Sequence, residues 1–421
     1  MKKKIAIVSN LSWNLYNFRL SLMKAMQDAG YEVIAIAAYD NYSQKIIDAG
    51  FEFHPIHINS QGTNPLDDLK TTIEFYKLFK EISPDFICQY TIKPNIYGSF
   101  VARALDIKTI NNIAGLGTPF IEEGWVTKVV KFLYKLSQSK VDKVFFQNRD
   151  DFELFVSEGL VPLSKSDILP GSGVDTNRFR PQKRELRNTV RFLLVSRMIW
   201  EKGIGEYVEA ARAIKRKYSH VEFDLLGFLD VANPGAITKA EMEKWVNEGV
   251  INYLGVSDRV DEVIATGDCV VLPSYYREGT PKTLLESASC GKPIITTNSI
   301  GCRDVVDDTV TGYLCEPRSS EDLIEKIELF LKLSEEKKRE MGQKSRLKIE
   351  REFDEKIVIE KYIETLRKLE QLEEKSKCSI SESLLMVKLF IPIYKLFNTS
   401  FERGKGFIVK IMYQFRGVSI G

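Results

Sequence analysis

The sequence predicts an α/β protein built from two doubly wound, Rossmann-like domains that face a cleft, followed by a basic amphipathic tail. Three observations lead there. The chain has 421 residues, too many for one compact core. Short apolar runs rich in β-branched residues alternate with amphipathic stretches along most of it. Those runs are continuous rather than alternating, which means strands covered on both faces, and hence parallel sheets flanked by helices.

In the first half the expected strands are Ile5–Val8, Val33–Ala37, Phe53–Ile58, Phe86–Tyr90, Thr109–Ile113 and Val144–Phe146. Helical patterning lies between them over Leu20–Ala29 and Leu66–Glu81. In the second half the runs are Phe192–Val195, Phe223–Leu226, Ile251–Leu254, Cys269–Leu272 and Pro293–Thr296. The boundary is expected near Pro181–Asn188, where polar PQKRELRN follows the turn-rich PGSGVDTNRFRP. This gives domains over residues 1–185 and 186–374, and a tail over 375–421. Ligands in such folds sit between the carboxyl ends of the strands.

Composition narrows the function classes. A hydrophobic content of 44 % with 28 % charged residues suits a soluble globular protein, and a net charge of +2 gives no sign of a nucleic-acid partner. The six cysteines are scattered without a CxxC pair, which fits a reduced cytoplasmic location better than zinc or disulfides. The basic start MKKKIAIVSN has too short an apolar run for a signal peptide, and no run of about twenty apolar residues appears. Charge is nevertheless segregated: residues 375–421 are net +6 and rich in Leu, Ile and Phe, whereas residues 1–374 are net −4.

The chemistry concentrates in two stretches. VSRMIWEKG (Val195–Gly203) follows an expected strand directly, so Arg197 and Lys202 emerge at the carboxyl edge of a sheet. A guanidinium fork and an ammonium suit phosphate oxygens, although alone they are equally the cations of a solvated loop. SYYREGTPKTLLESASCGKPIITT (Ser274–Thr297) reads as strand end, glycine turn, helix and strand. Gly279 and Thr280 would offer backbone N–H groups to a diphosphate at a helix start. Glu278 and Glu286, eight positions apart, fall on roughly one side. Carboxylates repel phosphate, so each is expected to accept hydrogen bonds from hydroxyls of a sugar or ribose.

Together, Arg197, Lys202 and Glu278-x7-Glu286 resemble the retaining glycosyltransferases of family 4, which have the two-domain GT-B fold. GSGVDTNRF (Gly171–Phe179) and GCRDVVDDTVTGYLCEP (Gly301–Pro317) support the resemblance, which spans nearly all of residues 4–370. It implies that Arg197 and Lys202 hold the donor diphosphate. Glu278 would bind the transferred sugar, above Gly279, Thr280 and Pro281, and Glu286 the ribose. Leu254 and Gly255 would lie near the base of a UDP-sugar. No cofactor and no metal are expected, since two cations already face the diphosphate, and the aspartate pairs Asp67–Asp68 and Asp307–Asp308 read as solvated turns or caps.

The first domain is expected to bind the acceptor. Asn17 and Arg19 are placed in a loop formed by NLSWNLYNFR, Lys93 and Asn95 in TIKPN, and Gly115 and Gly117 in NNIAGLGTPF. Many relatives carry a histidine near the last segment; here the only histidines are His54, His57 and His220, the first two read as packing residues. The GLG in its place brings the chain closer to bacterial enzymes that extend undecaprenyl-diphosphate-linked sugars. The resemblance thus implies a glycan or undecaprenyl-linked acceptor in cell-surface polysaccharide or glycoprotein-glycan synthesis. It further implies leaving-group stabilisation as the main catalytic device, with same-face displacement. The alternatives are a sugar-nucleotide 2-epimerase of the same fold, or a non-catalytic scaffold. The tail is expected to dock on an anionic membrane or on a partner, the former placing the protein peripherally at the inner face of the cell membrane. The lysine-rich stretch Trp125–Lys140 reads either as an ordinary core-packing helix or as an interfacial one.

Overall fold

A computed structural model describes residues 2–59, 64–117, 120, 124–182, 187–229, 231 and 233–375. One compact unit ends at Ile363 and contains both sheets; a second begins at Glu364, of which residues 364–375 are described and helical. Apart from Lys375, the basic tail lies outside the described residues.

The first sheet holds β1 (Lys4–Val8), β2 (Glu32–Ala37), β3 (Glu52–Pro55), β4 (Phe86–Tyr90), β5 (Lys108–Ile113), β6 (Lys143–Phe146) and β7 (Ser166–Ile168). All seven pair in parallel in the order β3-β2-β1-β4-β5-β6-β7. The second sheet holds β8 (Val190–Val195), β9 (Val221–Leu226), β10 (Asn252–Tyr253), β11 (Cys269–Leu272), β12 (Ile294–Thr297) and β13 (Gly312–Cys315). It is also parallel, in the order β10-β9-β8-β11-β12-β13. Burial explains the match to the apolar runs: Ile5–Val8, Phe192–Leu194 and Cys269–Val271 are wholly enclosed by helices on both faces. β7 has no apolar run because it is an edge strand, half-buried throughout.

Two expectations are corrected in the first half. The segment NLSWNLYNFR is not a loop: a helix runs from Ser12 to Asp28 and takes in most of it. Its start is fixed from outside, by Trp13 N–H donating to Asp40 Oδ2 at 2.9 Å and Ser12 Oγ donating to the Ala38 carbonyl at 2.8 Å. The histidines of the β3 region do not pack in the core either. His57 is exposed, and His54 lies beside Glu52 at 2.6 Å on the edge strand.

Beneath the carboxyl edge of the first sheet runs a buried ribbon of amides. Gln89 Nε2 donates to Asn111 Oδ1 (3.0 Å), and Asn111 Nδ2 to Gln138 Oε1 (2.6 Å). Gln138 Nε2 donates to the Asn95 carbonyl (2.8 Å), and Asn95 Nδ2 to the Asn112 carbonyl (2.9 Å). Gln147 Nε2 closes on Asn112 Oδ1 at 3.1 Å. Most of these deep polar groups satisfy one another, while Gln89 Oε1 and Asn95 Oδ1 have no hydrogen-bond partner among the described residues.

Candidate functional site

In each sheet the chain reverses direction of winding once, between β1 and β4 and between β8 and β11. Such switch points leave a crevice at the carboxyl edge. The loops leaving β8 and β11 carry Arg197 and Lys202 on one and Glu278 on the other, so two stretches distant in sequence meet at one crevice. Gly203 brings the two loops together: its φ is +75°, and a Cβ there would stand 2.1 Å from the Pro273 carbonyl oxygen.

Lys202 and Glu278 form a direct ion pair, both side chains largely enclosed. Ser274 Oγ donates to the same Glu278 oxygen at 3.2 Å, and the Tyr276 ring lies under the ammonium, its centroid 5.2 Å away. Arg197 is exposed, and its guanidinium has no hydrogen-bond or ion-pair partner among the described residues. A neutralised pair flanked by a free guanidinium can exchange partners: an arriving anion draws on both cations, and arriving hydroxyls can donate to the carboxylate.

The turn that follows is held from the opposite sheet. Asn148 Nδ2 donates to the carbonyls of Glu278 and Gly279, both at 3.1 Å. Thr280 Oγ1 donates to the Gln147 carbonyl at 2.8 Å, and Gly117 N–H to the Arg277 carbonyl at 3.2 Å. Arg277 reaches Asp151 Oδ1 at 3.0 Å; that carboxylate is fully enclosed, and burial raises its proton affinity although Asn148 and Arg277 oppose the shift. Gly115, with φ +95°, permits the closest approach: a Cβ there would lie 2.3 Å from Gly279 N. The amides of Gly279 and Thr280 have no hydrogen-bond partner among the described residues, while Pro281 caps the helix Lys282–Ser289. Gly115 and Gly117, expected on the acceptor side, therefore touch the β11 loop itself.

Glu286 sits half-buried on that helix, and its carboxylate has no hydrogen-bond partner among the described residues. Burial pushes its carboxyl up to about 7, against the opposing pull of Lys282 and Arg178. Lys282 Nζ donates to the Asn17 carbonyl at 2.6 Å, and burial lowers its proton affinity. Leu254 is exposed just beyond β10, and the Gly255 carbonyl accepts from Gly227 N–H at 2.8 Å.

The remaining first-half candidates are placed differently from expectation. The Asn17 side chain donates back to the Trp13 carbonyl at 3.0 Å, inside its own helix. Arg19 is buried and stacks on Tyr90, 4.1 Å from the ring centroid. Lys93 is tied to Asp68 at 2.5 Å, and Tyr97 donates to the other oxygen of that carboxylate at 2.7 Å, so Asp68 is a structural counter-ion rather than a solvated turn. Asn95 belongs to the amide ribbon and is enclosed. Asp307 and Asp308 do act as turn residues, Asp308 Oδ1 accepting from Leu314 N–H at 2.9 Å. Sequence reasoning missed Gln147, Asn148 and Arg277; the legible signal was QNRDD directly after β6, with Asn148 as helix N-cap.

Comparison with known proteins places the chain among glycosyltransferases. The model for "Glycosyl transferases group 1" matches residues 175–348, and that for "Glycosyl transferase 4-like" matches residues 4–148. A Campylobacter jejuni protein, N,N'-diacetylbacillosaminyl-diphospho-undecaprenol alpha-1,3-N-acetylgalactosaminyltransferase, is 30 % identical over 86 % of this chain and 97 % of its own length. An Escherichia coli UDP-Gal:alpha-D-GlcNAc-diphosphoundecaprenol alpha-1,3-galactosyltransferase is 26 % identical over 60 % of this chain and 67 % of its own. Among solved structures, Anabaena HepE in complex with UDP and glucose superposes with a TM-score of 0.71 at 15 % identity, covering 87 % of this chain and all of that one. A Rickettsia africae glycosyltransferase gives 0.70 at 18 % identity, over 86 % and 97 %. These two likenesses concern the fold.

Proposed function

The chain belongs to the glycosyl transferases of group 1, and from that premise we propose that it moves an N-acetylhexosamine or hexose, with retention, from a UDP-sugar to a sugar carried on undecaprenyl diphosphate. The observation that carries the donor half is the Lys202–Glu278 pair at the switch point of the second sheet, beside Arg197 and the unpartnered amides of Gly279 and Thr280. The acceptor half rests on the Campylobacter relative, whose name specifies an undecaprenol-linked acceptor and which is matched almost end to end.

On this reading Arg197, Lys202 and the two amides take up the charge that builds on the diphosphate as the anomeric bond breaks. Preorganised donors of this kind are each worth about 10²–10³ in rate. Glu278, released from Lys202 as the ammonium turns to phosphate, accepts from sugar hydroxyls. Glu286 accepts from the ribose, with Leu254 and Gly255 toward the base. The acceptor hydroxyl attacks the face the diphosphate leaves, and a departing phosphate oxygen takes its proton. The two cations do the work a metal would do, so turnover should be unchanged by a chelator.

The reading places the enzyme at the inner face of the cell membrane, held peripherally where a lipid-linked acceptor resides. The test is incubation of purified protein with a panel of UDP-sugars and a short-chain polyprenyl-diphosphate-linked N-acetylhexosamine. A chain-extended lipid product, with an α-linkage by NMR and full yield in EDTA, is expected. Release of free sugar alone, or of an epimerised sugar nucleotide, would reject the proposal.

A further inference from the structure

The helix Trp125–Gln138 carries apolar residues on two faces: Tyr134, Val130 and Leu133 pack on the core, and a second apolar stripe lies opposite them. It turns Thr127, Tyr134, Ser137 and Gln138 into the protein, while Trp125 (75 % exposed), Val129 (43 %), Phe132 (60 %) and Leu136 (44 %) face outward. At 100° per residue these four fall within an arc of about 60°. A helix that only packs on a core leaves its outer face polar.

The polar side chains are turned inward for a reason already visible. Gln138 is a member of the amide ribbon, receiving from Asn111 and donating to the Asn95 carbonyl. Ser137 Oγ accepts from Gln138 Nε2 at 2.9 Å. The helix is therefore locked in rotation, and its apolar stripe cannot be withdrawn.

Charge follows the stripe. Residues 125–140 contain four lysines and no acid, in a span of the chain that is otherwise net acidic. Lys131 is taken by Glu158 at 2.7 Å. Lys128 and Lys135 line one flank of the stripe and are exposed, as is Lys140 beyond its end. At the Leu136 end the surface continues into a groove of about 550 Å³, lined by Phe100, Leu160, Val161 and Pro162 with Arg103 and Lys135 at its rim.

An exposed aromatic and aliphatic stripe with cations along one side matches an interfacial helix. We infer that the outer face of Trp125–Gln138 docks on an anionic lipid surface, with Trp125 and Phe132 entering the headgroup layer and Lys128, Lys135 and Lys140 meeting lipid phosphates. This deepens the reading above, naming the surface by which a membrane-held acceptor is approached, and it moves the main contact from the tail to the first sheet's flank. The stripe starts where the helix starts, and a helix that returns from β5 in a parallel sheet begins at the sheet's carboxyl edge. Docking here thus sets the crevice close to the membrane plane.

The test uses the full chain. Flotation with vesicles of phosphatidylglycerol and phosphatidylethanolamine, against phosphatidylcholine alone, should show binding that depends on anionic lipid. Trp125→Ser with Phe132→Ser should lower the partition coefficient at least about tenfold. Lys128→Glu with Lys135→Glu should abolish the preference for anionic lipid. Brominated lipid should quench a fluorescence component that Trp125→Phe lacks. Unchanged flotation of the serine pair would overturn the inference. So would poor access of acrylamide to Trp125 in lipid-free protein, since that would mean the stripe is covered by the chain's own tail or a second copy. Transfer to a water-soluble short-chain acceptor should be unaffected by these variants, so the inference can fail while the glycosyltransferase assignment stands.

Discussion

Arg197 and Lys202 carry like charges yet differ in what else they support, and their variants should separate accordingly. Arg197 is exposed and its guanidinium unpartnered among the described residues, so Arg197→Ala should cut turnover by about 10²–10³ and leave the melting temperature unchanged. Lys202→Ala should lose as much activity and also about 1–3 kcal/mol of stability, because Glu278 is left enclosed without its counter-ion. Denaturant unfolding beside steady-state kinetics checks both. Glu286 supplies a pH signature. Its folded carboxyl titrates at about 7, above the ordinary 4.5, so between those values the folded chain holds a proton that the unfolded chain has lost. Its contribution to stability is present below pH 4.5 and is lost as pH rises through 7. Hydroxyl donors favour the ionised form, so affinity for a UDP-sugar should rise over the same window. Glu286→Gln should flatten both trends, as calorimetry and titration from pH 5 to 8 would show. These residues were legible in the sequence because each lies in a short motif beside a strand end. Lys93 and Asn95 were misread because their partners, Asp68 and Asn112, are far away in the chain.

At the scale of elements, strands were legible wherever both faces are covered, since continuous apolar runs are what double coverage requires. The start of the first helix was not, because the groups that fix it, Asp40 and Ala38, belong to the loop after β2. The grip on the β11 turn was only partly legible: QNRDD supplies Asn148 and Asp151, but their partners, the Glu278 and Gly279 carbonyls and Arg277, lie more than a hundred residues away. Gly115→Ala tests that grip. The added Cβ would strike the Gly279 amide, and φ +95° is strained for alanine. A stability loss of about 2–4 kcal/mol and at least about tenfold weaker donor binding are expected, measured by thermal shift with and without UDP.

For the molecule as a whole, two parallel sheets and the position of each crevice followed from alternation and strand-end motifs, whereas the pairing of loops across the sheets did not. The outward stripe of Trp125–Gln138 shows why periodicity alone misleads. Its lysines and valines fit a core helix or an interfacial one equally well, and only the burial of Gln138 and Tyr134 decides which way it turns. That burial has a consequence for how the protein can change over time. Gln89, Asn95, Asn111, Asn112, Gln138 and Gln147 are linked in one enclosed chain of bonds, so replacing an inner member such as Asn111 or Gln138 strands its neighbours without solvent to relieve them. Drift at these positions must be concerted, and an alignment of relatives should show them inherited as a block, with the helix orientation inherited alongside.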